Sequence, residues 1–273
     1  MRFRNLARAL LLFAAVAALC SALAGSASAA PAKQAFTLEW GEFTPEHRDI
    51  AQTLQRSGAM DSLVRLVNRR YTTPRSIPIY FSDELDVGPA FLPEVTLKGQ
   101  KKPVSFIHFP GSFLDIELTA LEDELGRGAK NPTPREAMIF ANEFVVAHEI
   151  GHALVNVLDI PITGREEDAV DGFATYLLTD SPDFGPRSAF SAALLFDALS
   201  RVQEPGESDF ADEHSLPKQR VYQFLCWIYG SNTKRYRSLV GENGLTKARA
   251  PRCKDEWRQV NRSWSRLLAP YAR

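Results

Sequence analysis

The segment from Thr133 to Pro161 constrains the fold most, because it carries start and stop signals for one long helix and a continuous apolar stripe between them. Thr133 can act as an N-cap, Pro134 suits the first helical position, and Glu136 completes a capping box. Phe140, Phe144, Ala147, Gly151, Val155 and Leu158 then recur at helical spacing. Pro161 disfavours helical geometry in the residue before it, so the helix is predicted to end near Asp159.

Inside this helix stand His148-Glu149-Ile150-Gly151-His152. Two histidines four residues apart differ by about 40° around a helix, so both imidazoles leave one face and can converge on a single cation. Glu149 is placed to reach a water bound to that cation without ligating it, the H-E-x-x-H arrangement of zinc hydrolases. The simpler reading is two solvent-facing histidines on a surface helix. Against it, both lie beside the apolar stripe, where unpartnered rings are costly.

A catalytic zinc site has three protein ligands and one open position. After Pro161, Thr163 can cap a second helix with Glu166 at its third position, and Val170, Phe173, Ala174 and Leu177 form its apolar face. The short connection makes the two helices packed neighbours. Glu167 then approaches His148 and His152 as third ligand, with Asp168 and Asp171 as substitutes. One turn on, Asp171 can accept from the remote N–H of a ligating histidine, with His148 the first candidate. Glu166 and Asp168 also read as a solvated acidic first turn favoured by the helix dipole.

Of five histidines, His214 in Asp209-Phe-Ala-Asp-Glu-His214 is the candidate catalytic donor to a developing oxyanion; its alternative is a capping or surface histidine. His47 and His108 have no motif around them and read as satisfied or exposed. Tyr176, Tyr222 and Tyr229 can donate hydrogen bonds, but aromatic residues around Cys226-Trp227 read as core.

The HEIGH helix followed by Glu167-Asp168-Ala169-Val170-Asp171 resembles the glutamate-ligand zinc peptidases, the gluzincins. More closely, AHEIGHALVNVLDIPITGREEDAVDGFATYLL with FADEHSLPKQRVYQFLCWIYG is similar to a bacterial family of exported metallopeptidases. The close resemblance spans Thr133 to Leu268, and residues 31–130 match loosely. It implies a zincin-like domain holding one zinc ion and acting on a peptide or protein.

At the N-terminus, Arg2, Arg4 and Arg8 precede an apolar run from Ala9 to Leu23 and then the small residues Gly25 to Ala30. The run is shorter than the ~20 residues of a spanning helix, so residues 1–30 read as a signal peptide rather than a membrane anchor. Cleavage after Ala30 leaves 29 basic and 33 acidic residues, a charge of about −4. No basic field argues for nucleic acid. The expected location is periplasmic or secreted, with no stable membrane anchor after cleavage. Cys226 and Cys253 then remain in an oxidising compartment, as a single disulfide or as two buried thiols. A disulfide would contribute ~3 kcal/mol in the chain-entropy model.

Residues 31–45 read as a mobile leader that becomes ordered near Phe36. From Pro45 to Arg70, Ile50, Leu54, Met60, Leu63, Leu66 and Val67 predict a helix or a helix pair interrupted at Gly58. Ile77–Phe81 and Val104–Phe109 read as strands. Pro78 and the lysine-rich flank Lys98 to Lys102 put at least one of them on a sheet edge, and Val104–Phe109 is the candidate strand for pairing an extended peptide. Beyond Gly111 the chain reads as helical with proline breaks. The expectation is one α+β domain over residues 31–273, mainly helical with a small N-terminal β-sheet. Its expected activity is zinc-dependent peptide hydrolysis with Glu149 as general base. The rival is a non-catalytic exported binding or assembly protein with a structural metal site.

Overall fold

A computed structural model describes residues 35–96, 101–179, 181–201, 205–241 and 244–273. The expected signal peptide, the start of the leader and most of the flank at Lys98 lie outside these residues.

Strand β1 (Phe36–Trp40) leads into α1 (Arg48–Ser57) and α2 (Ala59–Arg70). Gly58 lies between them at φ 66°, a left-handed conformation that glycine adopts without steric cost and that starts a second helix in a new direction. This is the predicted helix pair. Strands β2 (Ile77–Phe81), β3 (Ala90–Val95) and β4 (Val104–Phe109) complete a four-stranded sheet of order β1-β2-β4-β3. The first three neighbours run parallel and β3 is antiparallel to β4.

The sheet corrects two expectations. Neither predicted strand is at an edge: β2 lies between β1 and β4, and β4 between β2 and β3. The edge beside the long helix is β3, which the sequence reading missed because Pro93 interrupts it and the register slips between Leu92 and Val95. Pro78 is tolerated on an inner strand for a local reason. Ile77 donates to Ala35 on the β1 side and Ser82 to Phe109 on the β4 side. Backbone N–H groups alternate sides along a strand, so the donor that Pro78 lacks would face β4, whose pairing with β2 begins only at Ile79 opposite Ile107.

Helix α3 (Gly111–Leu125) leads to the central helix α4 (Pro134–Val157), followed by α5 (Glu166–Thr179), α6 (Arg187–Leu199), the single turn α7 (Glu207–Phe210), α8 (Pro217–Ser231) and α9 (Ala250–Leu268). The Thr133 capping box forms, a cap of the kind that contributes about 1 kcal/mol. Ordinary surface helices bury one stripe, whereas α4 is enclosed by α2, α3, α5, α6 and the strands β3 and β4. Ala137, Ala141, Phe144, Val146, Ile150 and Leu154 are fully buried on it. Phe140, counted in the predicted stripe, is only half-buried and lies under the Arg187 guanidinium.

The second helix begins at Glu166, not after a Thr163 cap. Arg165 takes the capping position, its carbonyl accepting from Ala169 N–H. Cys226 on α8 and Cys253 on α9 form a disulfide with Cα atoms 5.0 Å apart. Among the described residues no helix is long and apolar enough to cross a membrane. The architecture is α+β and mainly helical, with the small sheet on the N-terminal side.

Candidate metal centre

Side chains from three stretches of chain meet at the inner end of a cleft. His148 Nε2 on α4 stands 3.0 Å from Glu167 Oε2 on α5 and 3.2 Å from His152 Nε2. His152 Nε2 is 3.3 Å from the same carboxylate oxygen. With zinc-to-nitrogen bonds of ~2.0–2.1 Å, the ligand atoms of a tetrahedral ion lie about 3.3 Å apart. Two imidazole nitrogens this close can share at most one proton, whereas one cation satisfies both lone pairs. The donor set therefore fits a divalent ion.

The approach of α5 to α4 depends on Gly151. A Cβ there would stand 2.9 Å from Val170 Cβ and 3.0 Å from Phe173 Cδ1. The glycine of HEIGH thus lets the second helix come close enough for Glu167, one turn before Val170, to reach both histidines.

His214, from the segment ahead of α8, joins the cluster. Its Nε2 is 3.0 Å from Glu167 Oε2, and ligand atoms of His148, Glu167 and His214 all lie within 4.8 Å of one another. Each of the three imidazoles has its far nitrogen against a carboxylate. His148 Nδ1 meets Asp171 Oδ1 at 2.9 Å, His152 Nδ1 meets Glu166 Oε1 at 2.8 Å, and His214 Nδ1 meets Asp212 Oδ1 at 2.8 Å. Such outer carboxylates fix tautomer and ring orientation, aiming the near nitrogen at the common point. Asp171 is itself gripped by Arg220 on α8, with Nε to Oδ2 at 2.8 Å and Nη2 to Oδ1 at 2.7 Å.

Electrostatics follow from these contacts. Burial works against the charge on Glu167, but hydrogen bonds from His148, His152 and His214 prevail and hold its carboxyl well below the usual range. Burial likewise opposes ionisation of Asp171, and the Arg220 charge and His148 together lower it. Burial alone would depress His152; Glu167 and Glu166 more than offset it, and its pKa is pushed up to about 9. His214 is raised by its hydrogen bond to Glu167, against a smaller effect of burial. Protons and a divalent ion therefore compete for the same lone pairs.

Glu149 also lines the cleft, where its Oε2 accepts from the backbone N–H of Phe91 at 2.7 Å. That N–H belongs to the outer side of β3, so the sheet's free edge runs past the carboxylate. The cleft has a volume of about 510 Å³ and lies between β3, the C-terminal half of α4 and the start of α5. A second cavity of about 550 Å³, between α2 and the N-terminal turns of α4 and α6, contains no histidine.

Of the sequence-selected residues, His148, Glu149, His152, Glu167, Asp171 and His214 are brought together. Asp168, a substitute ligand, instead accepts from Ser215 Oγ at 2.7 Å. His47 and His108 lie elsewhere: His47 Nδ1 is 2.8 Å from Asp83, and buried His108 meets the Ser82 carbonyl through Nε2. Tyr222 is 41 % exposed, contrary to its reading as core. The sequence reading gave Arg220, Asp212 and Phe91 no role, and saw in Glu166 a capping residue and a solvated acid rather than a partner of His152. Asp212, two residues before His214, carried the one local signal.

Residues 42–268 match the model of a protein family, DUF4344, whose description is "Putative metallopeptidase". The chain belongs to this family. No curated protein and no solved structure matches it. In this DUF4344 member the clustered histidines and glutamate give the family's description a physical counterpart, a donor set suited to a divalent metal.

Proposed function

We propose that this protein is a zinc-dependent peptidase of gluzincin type, with His148, His152 and Glu167 as metal ligands and Glu149 as general base. The observation that carries the reading is the 3.0–3.3 Å convergence of His148 Nε2, His152 Nε2 and Glu167 Oε2. A zinc ion bound there would polarise a scissile carbonyl and acidify a water. Glu149 accepts the proton of the attacking water and delivers it to the departing amine. Its Oε2, held by Phe91 N–H, is oriented before substrate arrives.

An extended peptide would pair through main-chain hydrogen bonds with the outer side of β3, which no other described strand covers, rather than with β4. His214, held by Asp212, donates from Nε2 to the oxygen on which negative charge develops. Asp171 and Arg220 keep the His148 ring in place without touching substrate. Export through a cleaved signal peptide completes the reading, and the disulfide is consistent with it.

The second reading is a structural metal site in which His214 is a fourth protein ligand. It draws on the 3.0 Å approach of His214 to Glu167, and the adjoining cleft weighs against it. Metal analysis of the purified chain, with proteome-derived peptide cleavage with and without chelator, tests the proposal. One zinc per chain is expected, with chelator-sensitive cleavage. The Glu149→Gln chain should keep its metal and lose about 10²–10⁴-fold in turnover, the range of general acid–base contributions. Persistent turnover in that variant would remove Glu149 as base.

A further inference from the structure

The outer side of β3 offers fewer hydrogen-bonding groups than an ordinary sheet edge. Ser82, just after β2, donates to the Phe109 carbonyl, so odd-numbered residues of β4 face β2, and the even-numbered Phe106 and His108 face β3. Their partners across the antiparallel ladder are Leu92 and Ala90, whose N–H and C=O are taken up by β4. Phe91, between them, turns both its N–H and its C=O outward. The N–H is found where that alternation puts it, 2.7 Å from Glu149 Oε2.

Two residues away in each direction stand Pro89 and Pro93, and both line the cleft together with Phe91. Proline has no backbone N–H. From Pro89 to Pro93, the Phe91 N–H is therefore the one donor directed away from β4, and Glu149 holds it. The Phe91 carbonyl is left as an acceptor: among the described residues no loop amide or side chain donates to it. Regular pairing does not extend far beyond this residue, because Pro89 precedes the strand and the register slips after Leu92.

Prolines on an edge also keep other strands from adding to it. Here, however, they bracket the residue that faces the general base. The carbonyl between them stays open toward a cleft lined by His152, Glu167 and His214.

We propose that the β3 edge recognises an extended peptide through a single donated amide. The peptide residue opposite Phe91 gives its N–H to the Phe91 carbonyl, and its own carbonyl goes unread because Glu149 occupies the Phe91 N–H. Proline is excluded at that residue. Its two neighbours turn their N–H groups away from β3 and carry no such requirement. That the paired peptide is a substrate rests on the peptidase reading above; the one-sided pairing does not.

The test uses the full chain carrying Glu149→Gln, which removes turnover and keeps an acceptor for the Phe91 N–H. The immobilised variant is exposed to a proteome-derived peptide library, and the retained peptides are sequenced. One of them is remade with single N-methyl groups, and separately with single ester linkages, and titrated by calorimetry. One residue is expected at which either change weakens binding about tenfold, with less than about threefold for N-methylation at its neighbours. In Glu149→Ala the Phe91 N–H becomes free to meet the peptide carbonyl, so the unmodified peptide should bind about three- to tenfold more tightly than to Glu149→Gln. Both variants are uncharged at position 149, so a change of charge does not produce that gain. No retained peptide, or no residue sensitive to both changes, overturns the proposal and leaves the prolines as guards of the edge. Equal affinity of the two variants also overturns it. Cleavage by the unmodified chain that tolerates proline throughout the residues flanking the scissile bond overturns the pairing and leaves the peptidase reading intact. One-sided binding with no cleavage of any peptide upholds the pairing and overturns that reading.

Discussion

Gly151 and Val170 approach so closely that one methyl group on the glycine would stand 2.9 Å from the valine Cβ. The crossing of α4 and α5 is set there, and the position of Glu167 relative to both histidines follows from it.

Gly151→Ala is therefore expected to weaken zinc binding about tenfold or more, measured by competition with a chromophoric chelator. Overpacking costs about 1–3 kcal/mol, while alanine recovers up to about 1 kcal/mol of helix propensity. The melting temperature should fall slightly or hold. Gly172→Ala on α5 is the control: its added Cβ meets ordinary contacts from 3.4 Å outward. That variant should be neutral or stabilised, with metal affinity retained. Unchanged affinity in Gly151→Ala would show that the crossing does not limit the metal site.

His214→Ala separates the two roles open to this histidine. As the oxyanion donor, its loss should lower kcat by about 10²–10³-fold with metal content unchanged. If the variant binds zinc as poorly as His148→Ala does, His214 is a ligand and the structural-site reading gains.

Arg220 neutralises a carboxylate that is almost wholly buried and sits over the Phe196 ring at 3.9 Å. Arg220→Met keeps much of the volume but leaves Asp171 with an uncompensated charge. Removing one partner of a buried pair typically costs about 3–5 kcal/mol. Chemical denaturation of the variant should show a loss of that size, and zinc affinity should fall about 10–100-fold as His148 loses its fixed orientation. Arg220→Lys should rescue only part of either, because one ammonium cannot reproduce the bidentate fork.

Glu117 on α3 is fully buried beside Asn142 of α4, whose amide donates to it, and burial raises its pKa well above that of a free carboxyl. In the unfolded chain Glu117 ionises near its ordinary pKa of about 4.3. Above that pH the folded state holds a proton that the unfolded state has released, so this group's contribution is complete at low pH and declines as pH rises toward the folded pKa. The slope approaches about 1.4 kcal/mol per pH unit. Glu117→Gln removes the titration, so its melting temperature should gain on the unmodified chain between pH 5 and 8. Parallel melting curves across that range would contradict a raised pKa.

Local signals account for much of the helical framework. The α4 start was legible because Thr133, Pro134 and Glu136 act within one turn, and Gly58 marked the α1–α2 break for the same kind of reason. The α5 start was misplaced by a similar argument, since Thr163 has the right chemistry but the chain enters the helix at Arg165. Strand β3 escaped notice because an edge strand with a proline and a bulge lacks a clean alternation. Its place beside Glu149 depends on pairing with β4, more than ten residues further along the chain.

The candidate site divides in the same way. The spacing of His148, Glu149 and His152 determines, within one helix, that two imidazoles share a face and that a carboxylate stands beside them, because helical geometry acts over four residues. Which oxygen of which acid meets them, that Arg220 backs Asp171, that Phe91 holds Glu149, and that Pro89 and Pro93 line the same cleft were decided only when distant segments packed together. Sequence periodicity describes one element at a time, whereas these relationships depend on how α4, α5, α8 and the edge of the sheet are oriented against one another.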